Sequence, residues 1–265
     1  MEKVKVFITD WQVLFREGIH FTLSGEEDFE VIGEATNNEE ALSFIESNPP
    51  GVAILNADRT QPSGIEITRT IKKDNPAVGV ILIMDNYNDE QLFAALKSGA
   101  SACLSKDMDP EELLNIIRRV VRGESPISQS MLEPNISSRI VTEFESYAQI
   151  NEELGDLLAK LLPHEGQVLH YIINGNLPEE IAKSLDITED QVRQHLNVIL
   201  NKLVANDRGR EIVDIVQGNL NTVISRISKT KRTGKQTGDF ITKDEFNTFK
   251  EGLMETFRSF IGDQK

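Results

Sequence analysis

Apolar and polar positions divide the chain into two regimes. Over the first 124 residues short apolar runs alternate with segments of helical spacing. The runs are "VKVFI" (4–8), "FEVIGEA" (29–35), "VAIL" (52–55), "GVILIM" (79–84) and "ACLS" (102–105). Such apolar-rich runs suit buried strands, "VAIL" and "GVILIM" without any polar interruption. Between and after them, "VLFREGIHFTL" (13–23), "NEEALSFIE" (38–46), "IEITRTIK" (65–72), "DEQLFAALKSG" (89–99) and "DPEELLNIIRRVVRG" (109–123) repeat apolar residues every three to four positions. That period predicts helices. Asp109 is placed to cap the last of them, with Pro110 in its first turn and Gly123 at its end. Five strand–helix units in succession predict an α/β fold, a (βα)5 doubly wound parallel sheet, over residues 1–124.

The second regime has no strand pattern. Residues 125–160 read as a Ser/Pro-containing linker followed by a connector helix, with Ile140, Phe144, Tyr147, Ile150, Leu154 and Leu157 at helical spacing. Residues 161–217 read as an all-α domain. A helix in "LPHEGQVLHYIING" precedes the short helix "LPEEIAKSL". The turn "DIT" follows, with Thr188 as cap, and then "EDQVRQHLNVILNKL" with Val192, Leu196, Ile199 and Leu203 on one face. A short helix, a three-residue turn and a longer helix make a helix-turn-helix. "GREIVDIVQG" is expected to form a separate last helix. Residues 218–238 read as a basic flexible segment containing "KTKRTGK". Residues 239–265 read as an amphipathic terminal helix that opens on the capping box "TKDE" and carries Phe246, Phe249, Leu253, Phe257 and Phe260 on one stripe.

Charge narrows the range of partners. The net charge is −15, and residues 1–127 carry 12 Lys/Arg against 22 Asp/Glu, whereas residues 229–265 carry 8 against 6. The bulk field repels nucleic acid, so any such contact must be local. No apolar run approaches the length of a membrane span. The single cysteine, Cys103, excludes a disulfide framework and fits a cytoplasmic protein. The histidines lack metal-ligand spacing. No cofactor, metal site or catalytic constellation is expected, and the chain is not read as an enzyme.

Residues 3–124 resemble the receiver domain of two-component response regulators, and residues 161–217 resemble the LuxR/NarL-type helix-turn-helix. "LFREGI" (14–19), "VIGEATNNEEAL" (31–42), "LKSGASACLSKD" (96–107) and "LPEEIAKSLDITEDQV" (177–192) carry the likeness to the NarL/FixJ group. In a working receiver the resemblance implies an acidic pair and a third-strand Asp that hold Mg²⁺, with the latter accepting a phosphoryl group. It also implies a Thr/Ser and a Lys on the phosphoryl oxygens. Here the acidic pair reads Asp10-Trp11, the acceptor position is Asn56, the Thr/Ser position is Met84, and Cys103 stands at the aromatic-switch position. Only Asp10 and Lys106 fit. An amide forms no acyl phosphate, so phosphorylation by the usual route is not expected. With one carboxylate left, Mg²⁺ binding through several oxygens is not expected either.

Asp58, two residues further on, is the alternative acceptor. Trp11 and Met84 are expected to pack over the vacated pocket, and Lys106 to pair with Asp10 or with Asn56. A small ligand in that pocket is a further alternative.

The resemblance also implies that the third helix of the second domain enters the major groove of DNA. Candidate contacts are Gln191, Arg193, Gln194, Asn197 and Lys202, with Arg208 and Arg210 beyond. Glu179, Glu180 and Asp190 oppose phosphates nearby, which predicts weak, salt-sensitive binding aided by dimerisation. The expected function is therefore a homodimeric transcriptional regulator with an atypical receiver. The alternative is a protein–protein scaffold that contacts RNA polymerase or another regulator.

Overall fold

A computed structural model describes residues 3–58, 61–85, 88–149 and 158–232, the last with side chains as far as Arg210. Five strands, β1 (Val4–Thr9), β2 (Phe29–Ala35), β3 (Val52–Asn56), β4 (Gly79–Met84) and β5 (Ala102–Ser105), form one parallel sheet in the order β2-β1-β3-β4-β5. Five helices cross between them or follow: α1 (Val13–Ser24), α2 (Asn38–Ser47), α3 (Gly64–Asp74), α4 (Asp89–Ser98) and α5 (Pro110–Val121).

Both faces of the sheet are covered, which is why the inner strands β3 and β4 are buried throughout, whereas the edge strand β2 leaves Glu30 and Glu34 exposed. On one face Val6, Ile8, Val52, Ile54, Ile81 and Ile83 pack with Ile19 and Leu23 of α1 and Leu114 and Ile117 of α5. On the other, Phe7 stacks on Phe44 of α2 at 4.7 Å between ring centroids. Side chains and backbone agree at the helix ends. Asn37, Ser63, Asn88 and Asp109 each cap a helix by accepting from a backbone N–H of its first turn.

From β1 the chain moves to one side to form β2, then returns past β1 to form β3. The connection order therefore reverses between β1 and β3, and a crevice opens beyond their carboxyl ends. Asp10 follows β1 and Asn56 ends β3, so topology alone brings residues 46 positions apart to one point.

Beyond α5, the linker folds as a 3-10 segment, Pro126–Leu132, that buries Ile127 and Met131. Helix α6 (Pro134–Gln149) follows, with Ile136, Ile140, Phe144 and Tyr147 buried along one face. The expected continuation of this helix through residues 150–157 lies outside the described residues.

The all-α part contains α7 (Pro163–Ile173), α8 (Pro178–Leu185) and α9 (Glu189–Arg232). Val168, Leu169, Ile172, Ile181, Val192, Leu196, Ile199 and Leu203 form its core. Asp186 turns the chain between α8 and α9 in the left-handed region, at φ 54°.

Helix α9 corrects the expectation of two separate helices at 189–203 and 209–218. Its 44 residues run without a break through "VANDRGR". No proline interrupts that stretch, and its Asn206 and Asp207 find tertiary partners instead of capping the backbone. The Asn206 amide exchanges two hydrogen bonds with the backbone of Ala159, at 2.8 and 2.9 Å. Asp207 pairs with Arg69 of α3 at 3.1 Å and with Lys97 of α4 at 3.0 Å. The start of the expected flexible segment, up to Arg232, is also helical. Its remainder and the expected Phe-rich helix lie outside the described residues.

The chain divides into two compact units. One comprises Met1–Gln149 with Ala159–Asp207, and the other Ile150–Leu158 with Arg208–Lys265. The sheet domain and the helix-turn-helix thus share one unit. In it Lys97 also pairs with Glu143 of α6 at 2.5 Å. In the second unit a Cβ on Gly209 would stand 2.9 Å from Leu158, so only glycine admits that side chain so closely.

Gly64 fixes the approach of α3 to the end of β3. A Cβ there would stand 2.3 Å from the backbone oxygen of Asn56 and 3.0 Å from the Cα of Ala57. Backbone cannot rotate aside as a flexible side chain does, so Gly64→Ala is expected to destabilise the protein by about 1–3 kcal/mol. Urea denaturation measures it, and an unchanged midpoint would contradict the close approach.

Candidate functional site

The crevice at the β1/β3 edge is filled by a hydrogen-bonded knot. The Asp10 carboxylate is 1% exposed, and its Oδ1 accepts from the backbone N of Gln12 at 2.7 Å. Its Oδ2 accepts from the Asn56 amide at 2.7 Å. The oxygen of that same amide accepts from the backbone N of Asp58 at 2.9 Å. Both ends of the Asn56 side chain are thus engaged, and its orientation follows from its partners. Only the Nδ2 end can donate to a carboxylate, and only the oxygen can accept from an N–H.

Lys106, just past β5, enters the knot from the other side. Its Nζ lies 2.9 Å from Asp10 Oδ2, 2.8 Å from Asp85 Oδ1 and 3.2 Å from Gln12 Oε1. Its ammonium also stands over the rings of Trp11 and Phe15, at 5.5 and 5.1 Å. Of the two expected partners of Lys106, the structure places Asp10 against it.

Asp85 is the residue that sequence reasoning missed. It directly follows Met84 at the end of β4, and the signal was its place one step beyond a strand that points into the crevice. More than one carboxylate therefore remains at this edge, which corrects the expectation of Asp10 alone. Asp58 lies beside them, its two oxygens accepting from Asp85 N and Gln91 Nε2, both at 2.6 Å.

A magnesium ion does not fit this arrangement. Divalent cations need several oxygen ligands. The oxygens of Asp10 are turned toward an amide, a backbone N–H and an ammonium, and a tryptophan occupies the neighbouring position. Among the described residues no group of three ligating side chains is arranged to hold a metal.

The expected apolar plug is also corrected in part. Met84 is fully buried, but Trp11 is 40% exposed, at the rim. Charge neutralisation by Lys106, not apolar packing by the indole, closes the site.

Arg16 supports the loop from beneath. Its Nη1 donates to the backbone oxygen of Asp10 at 2.8 Å, and its Nε to Glu34 at 2.9 Å. Burial opposes ionisation of Glu34, but the hydrogen bonds from His20 and Arg16 prevail and hold its carboxyl below the usual range. Cys103 on β5 has its thiol pushed up to about 12, chiefly by burial and further by the Asp58 charge. A thiol that is protonated at neutral pH is a poor nucleophile.

The helix-turn-helix residues do not form one surface. Arg193, Gln194 and Asn197 lie exposed on α9, outside its buried stripe. Arg193 pairs with Asp190 at 3.1 Å. Gln191 belongs to a capping box with Thr188, its side chain accepting at 2.8 Å from the Thr188 N–H. Arg208 is half-buried and Arg210 exposed.

Lys202 departs most from expectation. It turns inward and binds both oxygens of Glu165, at 2.8 and 2.7 Å, and the backbone oxygen of Lys160 at 3.1 Å. Glu165 is 1% exposed, so Lys202 neutralises a buried carboxylate and holds α9 on α7.

A doubly wound sheet with an acid, an amide and a lysine at its switch point, joined to a helix-turn-helix, defines a two-domain regulator. The comparisons agree with that class. Residues 6–118 match the response regulator receiver domain, and residues 159–216 match the bacterial regulatory proteins of the luxR family. The transcriptional regulatory protein YhcZ of Bacillus subtilis is 30% identical over 227 residues, covering 84% of this chain and all of that protein. The response regulator protein VraR of Staphylococcus epidermidis is 28% identical over 217 residues, covering 82% of this chain and 98% of VraR. Among solved structures, the signal receiver domain of the response regulator NarL from Mycobacterium tuberculosis covers 47% of this chain and all of that domain, at 29% identity and a TM-score of 0.46. The chain belongs to the response regulators that join a receiver domain to a LuxR-type regulatory domain.

Two substitutions test the site geometry. Asn56→Asp replaces a donor to Asp10 with a second carboxylate, which raises the pKa of the introduced group above its unfolded value of about 3.9. Its destabilisation is then complete above the raised pKa and fades as pH falls through it. The expected loss is about 2 kcal/mol near pH 8 and clearly less near pH 5. A gap that does not change with pH would contradict the knot. Lys202→Met leaves Glu165 uncompensated and is expected to cost about 2–4 kcal/mol by thermal or urea unfolding. Unchanged stability with weakened DNA binding would instead restore Lys202 to a phosphate-contacting role.

Proposed function

We propose that this chain is a DNA-binding transcriptional regulator whose receiver operates without phosphoryl transfer, as an interaction and dimerisation module. The observation that carries this reading is the Asn56 amide, spent in both directions between Asp10 and the backbone of Asp58. Phosphoryl transfer to a receiver needs a carboxylate nucleophile and a cation beside it. Here an amide stands at the strand end, and Asp10 beside it is paired with Lys106. Asp58 is tied to the fold instead, its two oxygens accepting from Asp85 N and Gln91 Nε2.

For the DNA contact, Arg193, Gln194 and Asn197 are the residues with the exposure and side-chain chemistry to reach base edges and phosphates. Arg208 and Arg210 lie further along the same helix, where they can add phosphate contacts. With Lys202 in a core ion pair, few cations remain for the backbone, so binding is weak. Among the described residues no helix is long and apolar enough to cross a membrane, and the protein is read as a cytoplasmic homodimer.

A second reading has its own support. Arg193 is flanked by Glu189 and Asp190, which screen it from phosphates. The helix-turn-helix then serves as a protein-binding surface for RNA polymerase or another regulator.

Electrophoretic shift of genomic fragments at low salt, with the purified chain and no phosphodonor, separates the two. A salt-sensitive shift that Arg193→Glu abolishes is the expected result, and no shift with any fragment would leave the scaffold reading. Treatment with acetyl phosphate and Mg²⁺, read by intact mass, is expected to add no phosphoryl group. One added phosphoryl group would overturn the receiver assignment.

A further inference from the structure

Within the unit that holds both the sheet domain and the helix-turn-helix, a cleft of about 370 Å³ lies between the end of α5 with the 3-10 segment and the start of α9. That volume falls in the range of small-molecule sites. Three arginines converge on it in a protein of net charge −15: Arg119 and Arg122 from α5 and its end, and Arg193 from α9. We propose that this cleft binds a small organic phosphate, and that the ligand ties the DNA-facing surface of α9 to the receiver.

The chemistry is that of anion recognition. Guanidinium groups offer five N–H donors each and match phosphate oxygens in a planar fork. Arg119 donates through Nε alone to Glu124, at 2.8 Å, and Arg122 through Nε and Nη2 to the same carboxylate, at 3.1 and 2.9 Å. Arg193 donates through Nε and Nη2 to Asp190. Most donors of the three groups are left for a ligand.

Glu124 acts as an internal counterion. The hydrogen bonds from Arg119 and then Arg122 hold its carboxyl below the usual range, so it stays ionised and keeps the two guanidiniums side by side. Glu124 is the one carboxylate of the lining, and Asp190 pairs with Arg193 beside it, so two carboxylates stand against three guanidiniums at hydrogen-bond distance.

Ser128, Gln129 and Asn197 add hydroxyl and amide groups to the wall. Leu132 adds a partly exposed apolar side chain that inorganic phosphate alone does not cover, with the buried Val192 and Leu196 beside it. Together they call for a phosphate attached to an organic body.

The position of the cleft couples it to DNA. Arg193 and Asn197 face both the ligand and, on the reading proposed above, the DNA. A bound phosphate engages them from the receiver side, so ligand and DNA exclude one another, and each weakens the other by the same factor. The binding site stands on geometry alone. Its effect on DNA rests on the DNA-binding reading.

Inorganic pyrophosphate, titrated into the full chain at constant ionic strength, probes the cationic end. The arginine Nε–Hε signals are followed by NMR. Those of Arg119, Arg122 and Arg193 are expected to shift together along one saturable curve. Arg122→Ala, a change at an exposed side chain, is expected to weaken the affinity at least about fivefold. A shift that is unsaturable, or that is shared by every arginine in the chain, marks an adventitious ion only and overturns the site.

Electrophoretic shifts on the same samples read the coupling. Pyrophosphate is expected to weaken DNA binding by the wild-type chain and to have little effect on Arg122→Ala. Saturable probe binding with no DNA shift at all would overturn the regulator reading and leave the cleft assigned. Saturable probe binding with DNA affinity unchanged would overturn the coupling.

Discussion

Asp10, Asn56 and Lys106 meet because the sheet reverses its winding direction between β1 and β3. The buried carboxylate of Asp10 is the element on which the rest of the site depends. A charge removed from water needs compensation of two kinds, an opposite charge and hydrogen bonds to its remaining lone pairs. Lys106 gives the first, and Asn56 with the Gln12 backbone gives the second. Asp85, Asp58 and Arg16 then arrange themselves around that arrangement, each through a bond to one of its members or to its loop. An amide is the residue type that can donate to Asp10 and accept from Asp58 at once. The asparagine at the end of β3 is thus a working part of the fold and not a vacancy left by a lost aspartate.

A second constraint links the sheet domain to α9. Helix α9 runs straight through a stretch that reads like an interhelical loop, and Asp207 within it reaches Arg69 on α3 and Lys97 on α4. Lys97 in turn holds Glu143 on α6, which accepts from the Tyr147 hydroxyl at 2.9 Å. Receiver helices and regulatory helix therefore share one partly buried charge cluster. Such clusters are costly to break one member at a time, so α9 up to Asp207 is anchored on α3 and α4.

Much of this was legible in the sequence, for identifiable reasons. Strands buried on both faces leave apolar runs, and caps such as Ser63 and Asp109 leave their own residue types, so the βα units could be read locally. Asn56, Met84 and Lys106 could be placed because they sit at strand ends, whose position the runs define. Tertiary pairing left no such trace. Lys202 looked like a surface cation until Glu165 was seen beneath it, and the two are separated by 37 positions. Asn206 and Asp207 carry the composition of a turn, and only their partners Ala159, Arg69 and Lys97 explain why the helix continues. Asp85 escaped notice because a family pattern directs attention to Met84, while the geometry brings in the residue after it.

The Asn56 side chain is held in both directions, by Asp10 and by the Asp58 backbone. The side-chain amide signal of Asn56, resolved by NMR in the full chain, reports on it directly. The account predicts an amide proton shifted downfield by the Asp10 carboxylate, protected from exchange with water, and unmoved by Mg²⁺ with beryllofluoride. An amide that exchanges at the rate of an exposed side chain, or that moves on adding those ions, would contradict it.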